Sequence, residues 1–110
     1  MPQVGFRKPH LSWRVPKRFY DLYENATIDV AKVQTIGKNI SVLAYEMNGE
    51  MGQVYKKDGK TWQESPNGPP LPTELQRALR HGYYAAVSFL DFEVGRLLDT
   101  LDELSLASST

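Results

Sequence analysis

The residues best equipped for chemistry fall in one short stretch, Gly5-Phe6-Arg7-Lys8-Pro9-His10-Leu11-Ser12-Trp13-Arg14-Val15-Pro16. Arg7, Lys8 and Arg14 surround one imidazole, His10, and no carboxylate precedes Asp21. Guanidinium and ammonium groups donate charge-assisted hydrogen bonds to oxyanions, so the set suits an anionic ligand. An imidazole can exchange a proton with such a ligand near neutral pH. Pro9 and Pro16 fix φ and push Lys8 and Val15 away from helical backbone. The pattern predicts a strand end that turns into an ordered loop presenting His10. The same residues also read as a basic surface loop with one exposed histidine.

The elements that must position this stretch are few. Val4-Gly5-Phe6 reads as the end of a strand. Val15 to Tyr23 reads as one or two helical turns, with Pro16 tolerated in the first turn. Phe19, Leu22 and Tyr23 fall at i, i+3, i+4 and form a small apolar stripe for packing, while Lys17 and Arg18 read as solvated. Ile40 to Tyr45 has β character. Asn48-Gly49 and Asp58-Gly59 are hairpin-turn dipeptides, so Gln53-Val54-Tyr55 and Lys60-Thr61-Trp62 are expected as short strands of a small meander. Ser65 to Pro72 is rich in Pro and Gly and stops regular structure.

A long helix follows. Thr73-Glu74-Leu75-Gln76 has the form of a capping box, with Thr73 as the cap and Gln76 reaching back. Leu75, Leu79, Tyr83, Ala86, Leu90, Val94, Leu97, Leu101 and Leu104 recur at three and four residues, which predicts an amphipathic helix to about Leu104. Gly82 and Gly95 interrupt it, each at a cost of up to ~1 kcal/mol relative to Ala, and are expected where another element approaches closely. The charges Arg77, Arg80, Glu93, Arg96, Asp99 and Glu103 mostly lie off the stripe and read as a solvated face. At ~1.5 Å per residue the helix is about 48 Å long, whereas a compact domain of about 100 residues has a radius of gyration near 13 Å. Its leucines therefore require a broad surface that these residues do not build. Either the chain belongs to a larger fold, or it is a small non-catalytic interaction protein that docks or dimerises through this helix.

Composition narrows the classes further. Of the 110 residues 41% are apolar and 24% charged, with zero net charge, which argues for a folded protein and against nucleic acid as a partner. No apolar run approaches the ~20 residues that span a bilayer. Met1-Pro2-Gln3-Val4 has no apolar h-region and is not expected to be a signal peptide. Cysteine is absent, which removes disulfides, thiolate metal sites and thiol nucleophiles. Asn25-Ala26-Thr27 and Asn39-Ile40-Ser41 are N-glycosylation sequons, expected in exposed loops if the chain enters a secretory pathway.

Lys8-Pro9-His10-Leu11-x-Trp13-x-Val15-Pro16-Lys17 with Tyr20-Asp21-Leu22-Tyr23 resembles the sulfatase family, within it the iduronate-2-sulfatase branch. A second block in the same order does too: Tyr83-Tyr84-Ala85-Ala86-Val87-Ser88-Phe89-Leu90-Asp91, then Val94-Gly95-Arg96-Leu97-Leu98 and Leu101-Asp102. The resemblance implies an α/β fold: residues 1–110 would be part of an alkaline-phosphatase-like sulfatase N-terminal catalytic domain. Its parts would be an active-site strand, loop and short helix (1–24), a variable loop or small β excursion near the substrate mouth (25–72), and the long helix (73–104). In such a sheet, ligands lie beyond the carboxyl ends of strands, where His10 would stand.

The resemblance also implies that His10 faces a sulfate ester and assists departure of the sugar oxygen, with Lys8 and Arg14 as anion contacts. Trp62, Tyr45 and the Lys56-Lys57 pair would be either glycan contacts or ordinary packing and solvated lysines. Asp91 would be a local hydrogen-bond anchor. The implied substrate is a sulfated glycosaminoglycan sugar, and the implied location lysosomal or secreted. The family's formylglycine arises from Cys or Ser in a Cys/Ser-x-Pro-x-Arg motif, and its calcium is held by an Asp-Asp and an Asp-His pair. None of these occurs here, so these residues by themselves are expected to be inactive and to bind no calcium.

Overall fold

A computed structural model describes residues 3–35, 37, 39–44, 56, 57, 60, 61 and 70–109. Helix α1 spans Lys17–Tyr20 and helix α2 spans Thr73–Glu103. Between them lie two 3-10 turns, Asn25–Thr27 and Val42–Ala44, and a pair of two-residue strands, β1 (Lys56–Lys57) and β2 (Lys60–Thr61). A last 3-10 turn, Ala107–Ser109, closes the chain.

Apart from the β1–β2 pair, the regular structure of the described residues is helical, and the α/β expectation is not confirmed within them. Val4-Gly5-Phe6 forms no strand, because a strand exists only where a neighbour accepts its backbone hydrogen bonds, and no described segment lies beside it as a partner. Ile40 to Ala44 also departs from the β reading. Ser41 starts a tight turn instead: its carbonyl accepts from Ala44 N at 2.9 Å and its hydroxyl from Leu43 N at 3.3 Å. The antiparallel register Lys56↔Thr61, Lys57↔Lys60 flanks Asp58-Gly59. Asn48-Gly49, Gln53-Val54-Tyr55, Tyr45 and Trp62 lie outside the described residues, as do the Lys56 and Lys57 side chains.

Helix α2 has the predicted length, and its ends are built differently from the sequence reading. Pro72, not Thr73, occupies the N-cap position, and no side chain caps the helix. The Gln76 amide does reach back, but its Nε2 donates to Leu71 O at 2.6 Å and to Gln34 Oε1 at 2.8 Å, tying the helix start to the preceding loop. At the other end Ser105 adopts φ 57°. Ser105 N donates to Asp102 O at 2.9 Å and Leu106 N to Leu101 O at 2.8 Å. That paired arrangement satisfies the last carbonyls and stops the helix.

The packed face of α2 shares Leu79 and Ala86 with the predicted stripe and turns away from the rest of it. Its buried residues are Leu79, Gly82, Ala85 and Ala86, with Phe89 and Phe92 continuing the same side. Phe19 of α1 is buried against that side, 5.3 Å from the Phe89 ring and 5.6 Å from Phe92. Such a phenyl contributes roughly 1.5–3 kcal/mol when fully buried. Arg18 is not simply solvated: its guanidinium lies 4.9 Å over Phe19 and 4.7 Å over Phe92. Arg77 likewise donates from Nε to Ile28 O at 3.1 Å, holding the buried Ile28. Leu22 points outward, 62% exposed, because α1 ends at Tyr20 and the i, i+3 spacing loses its meaning beyond a helix end.

Gly82 and Gly95 part company. A Cβ at Gly82 would lie 2.8 Å from Trp13 Cε3, whereas one at Gly95 would meet nothing within 4 Å. Gly82 is therefore a close-approach glycine, and Gly95 corrects the expectation of a second one. Gly95→Ala is expected to raise the helix melting midpoint, by up to ~1 kcal/mol of propensity. Gly82→Val should lower it and abolish the near-ultraviolet circular dichroism of the Trp13 contact. Equal effects of the two substitutions would contradict this assignment.

Candidate functional site

The loop from Arg7 to Arg14 is held by its own backbone and by α2. His10 N donates to Arg7 O at 3.0 Å and Arg14 N to Ser12 O at 2.8 Å. The peptide bonds Lys8-Pro9 and Leu11-Ser12 are cis. Trp13 anchors the loop: its Nε1–H donates to Pro9 O at 2.7 Å, and its indole lies on Gly82 and meets Tyr83 edge-on, centroids 6.0 Å apart. Helix α1 fastens the anchor, since the Tyr20 hydroxyl donates to Trp13 O at 2.5 Å. Tyr20 is fastened in turn by His81, whose Nε2–H donates to Tyr20 O at 2.8 Å. Tyr23 adds a bond between its hydroxyl and Ser88 Oγ at 2.6 Å.

His10 stands exposed on this scaffold, with Nδ1 2.8 Å from Leu11 O. A carbonyl only accepts, so Nδ1 carries a proton and the ring is oriented by it. Lys8 is half-buried, and its ammonium donates to Ser12 O. It thereby closes the loop, with further N–H donors left for an anion. Arg7 and Arg14 are exposed. The predicted cations thus share one loop with His10, and Lys8 serves the loop's geometry as well as its charge. Asp91 is exposed and its carboxylate takes part in no side-chain hydrogen bond among the described residues, so it does not act as the anchor expected of it there. Asn25 and Asn39 are exposed, Asn39 at φ 75° in the left-handed region that Asn tolerates.

The scaffold residues Tyr20, His81 and Ser88 escaped sequence reading as site supports. Their signal is spatial: His81 stands against the edges of Tyr20 and Tyr23, with centroids at 5.3 and 6.4 Å, and these pairs are far apart in the chain. Among the described residues no group of three His, Cys, Asp or Glu side chains converges to hold a metal ion, and no helix is long and apolar enough to cross a membrane.

Comparison with known proteins agrees with the motifs. The chain is 39% identical over 107 residues to iduronate 2-sulfatase of Homo sapiens, covering 97% of this chain and 19% of that protein. It is 36% identical over 107 residues to iduronate 2-sulfatase of Mus musculus, with the same coverage of each. It is 27% identical over 108 residues to a sulfatase of Formosa agariphila, again over 97% and 19%. No family model matches the chain, and no solved structure matches it. The chain is a segment of the sulfatase family, and it spans about a fifth of the length of the curated relatives it matches.

Burial raises the Tyr20 hydroxyl pKa above its ordinary value of 10.0. In the unfolded chain the phenol ionises first, so the unfolded state binds fewer protons above pH ~10 and stability falls as pH rises from there. An alkaline melt series should show that loss beginning near pH 10, and Tyr20→Phe should flatten it while lowering stability at neutral pH by roughly 1 kcal/mol through the lost bond to Trp13 O. An unchanged alkaline slope in the variant would exclude Tyr20 as the source.

Proposed function

We propose that this segment supplies the leaving-group histidine loop of a sulfuric ester hydrolase resembling iduronate 2-sulfatase, acting on sulfated glycosaminoglycan sugars in the whole protein. The observation that carries the reading is the placement of His10: exposed, oriented through Nδ1 by Leu11 O, and set in a loop whose charged groups are all cations. Arg7, Arg14 and the remaining Lys8 N–H groups attract and hold the sulfate. His10, protonated, donates from Nε2 to the bridging sugar oxygen as the S–O bond breaks, so the sugar leaves as a neutral alcohol. Nδ1, held by the carbonyl, fixes the ring while this proton moves. The nucleophile and the calcium ligands of such an enzyme belong to residues outside this segment, so the segment alone is inactive. An α/β domain of alkaline-phosphatase type is the larger body in this reading.

The test is turnover of a fluorogenic iduronate 2-sulfate ester by the full-length protein. His10→Ala should lower kcat by roughly 10²–10⁴-fold with a smaller change in KM, and Arg14→Ala should act mainly on KM. Wild-type kcat in the His10 variant would refute the role. A lysosomal or secreted compartment goes with this reading, and the exposure of Asn25 and Asn39 suits glycan acceptors there. In a eukaryotic secretory host, Asn25→Gln and Asn39→Gln should each remove one endoglycosidase-sensitive mobility step. Unaltered mobility in either variant would remove that site.

A further inference from the structure

Resting on the sulfatase reading above, we propose that His81 is a positioning residue for His10. It acts through Tyr20 and Trp13 to hold the Pro9-His10 peptide plane, and so sets where the leaving-group imidazole points.

The argument starts at the plane. A peptide unit is rigid and flat, so holding its oxygen and its N–H fixes its orientation. Both are held here. Pro9 O accepts from Trp13 Nε1–H at 2.7 Å, and His10 N donates to Arg7 O at 3.0 Å. The plane carries the His10 Cα, and Leu11 O lies 2.8 Å from Nδ1 on the following side. The aim of the imidazole therefore follows the Trp13 indole.

The indole is placed from two successive residues of α2. Gly82 lets it lie close, since a Cβ there would come within 2.8 Å of Trp13 Cε3. An apolar contact has no direction of its own, so Gly82 sets how near the indole lies and not how it is turned. Direction comes from Trp13 O, which accepts from the Tyr20 hydroxyl at 2.5 Å. Tyr20 is held in turn by the neighbour of Gly82, because His81 Nε2 lies 2.8 Å from Tyr20 O. A carbonyl only accepts, so Nε2 carries the proton. Trp13, Tyr20 and the His81-Gly82 step of α2 thus close a triangle of contacts.

His81 suits this task. It is half-buried and stands edge-on to Tyr20 and Tyr23, with interplanar angles of 74° and 80°. The two rings preset its donor. Losing that donor would release Tyr20 at the last residue of α1 and let its phenol leave Trp13 O. The indole and the Pro9-His10 plane would loosen with it. Arg7 and Arg14 would remain to hold the sulfate, so the loss belongs in kcat and not in KM.

The test uses the full-length protein with a fluorogenic iduronate 2-sulfate ester. His81→Phe and His81→Leu keep bulk and remove the donor. Each should lower kcat about 10-fold, within the up to ~10²-fold that a 1 Å misplacement costs, and leave KM within about twofold. His81→Gln, whose amide can donate in place of Nε2–H, should restore kcat to within about threefold of wild type. Because the links act in series, Tyr20→Phe combined with His81→Phe should lose no more than about twofold beyond Tyr20→Phe alone. Hydrogen exchange read by mass spectrometry on the peptide spanning residues 7–14 should quicken about 10-fold in the donor-free variants. Arg77→Ala removes the bond to Ile28 O one turn earlier on α2 and is the control for lost stability. It should lower the melting midpoint and leave kcat and loop exchange unchanged.

Wild-type kcat in both donor-free variants overturns the proposal if His10→Ala has lost activity. Equal losses in His81→Phe and His81→Gln overturn it too, as does a matching loss in Arg77→Ala or a fully multiplicative double variant. Exchange does not require turnover. If His10→Ala keeps wild-type kcat, the catalytic reading falls, and quickened exchange in the donor-free variants still supports the hold of His81 on the loop.

Discussion

The structure depends on one close approach: the Trp13 indole lying directly on α2 at a residue with no side chain. At Gly82 even a methyl group would intrude to 2.8 Å from the ring. The missing Cβ costs the helix up to ~1 kcal/mol of propensity, offset by a flat aromatic contact that the loop cannot find elsewhere. From that contact a short relay of hydrogen bonds runs outward. Trp13 ties to Pro9, Tyr20 ties to Trp13, and His81 of α2 ties to Tyr20. The His10 loop is thereby referenced to the helix at both face and edge.

The apolar core beneath is thin. Phe19, Ile28, Leu79, Ala85 and Ala86 are its buried members, and no buried polar side chain accompanies them among the described residues. Small residues on α2 let α1 and the Trp13 loop sit close, and Phe19 fills the space between Phe89 and Phe92. Arg18 covers the aromatic pair from outside, adding cation–π attraction where water would otherwise reach the rings. Such a core orders the loop but does not use the length of the helix. Beyond Phe92, Leu98 and Leu104 remain exposed.

Chemically the loop is economical. Its cations concentrate beside one oriented imidazole, with no acid nearby in sequence to cancel them. One of the cations, Lys8, also closes the loop through Ser12 O, so charge and shape are not separable there. Replacing Lys8 would alter the turn as well as the field.

The sequence by itself determined the long helix, the His10 loop and the family, because these are carried by local regularities: a three-and-four apolar period, paired prolines, and two ordered motif blocks. It marked Gly82 as a place of close approach by residue type alone, and by the same logic it wrongly marked Gly95. Only the tertiary structure decided which side of α2 is packed, since Gly82, Ala85 and Phe89 form a face just beside the leucine stripe and periodicity cannot tell which of two adjacent faces has a partner. The strand at Val4-Gly5-Phe6 was legible as a pattern and is absent as an element, because β structure is a property of pairs of segments and a helix is a property of one. Tyr20, His81 and Ser88 became supports of the site for the same reason. Their roles arise from contacts across about 60 residues of chain, which no local pattern encodes.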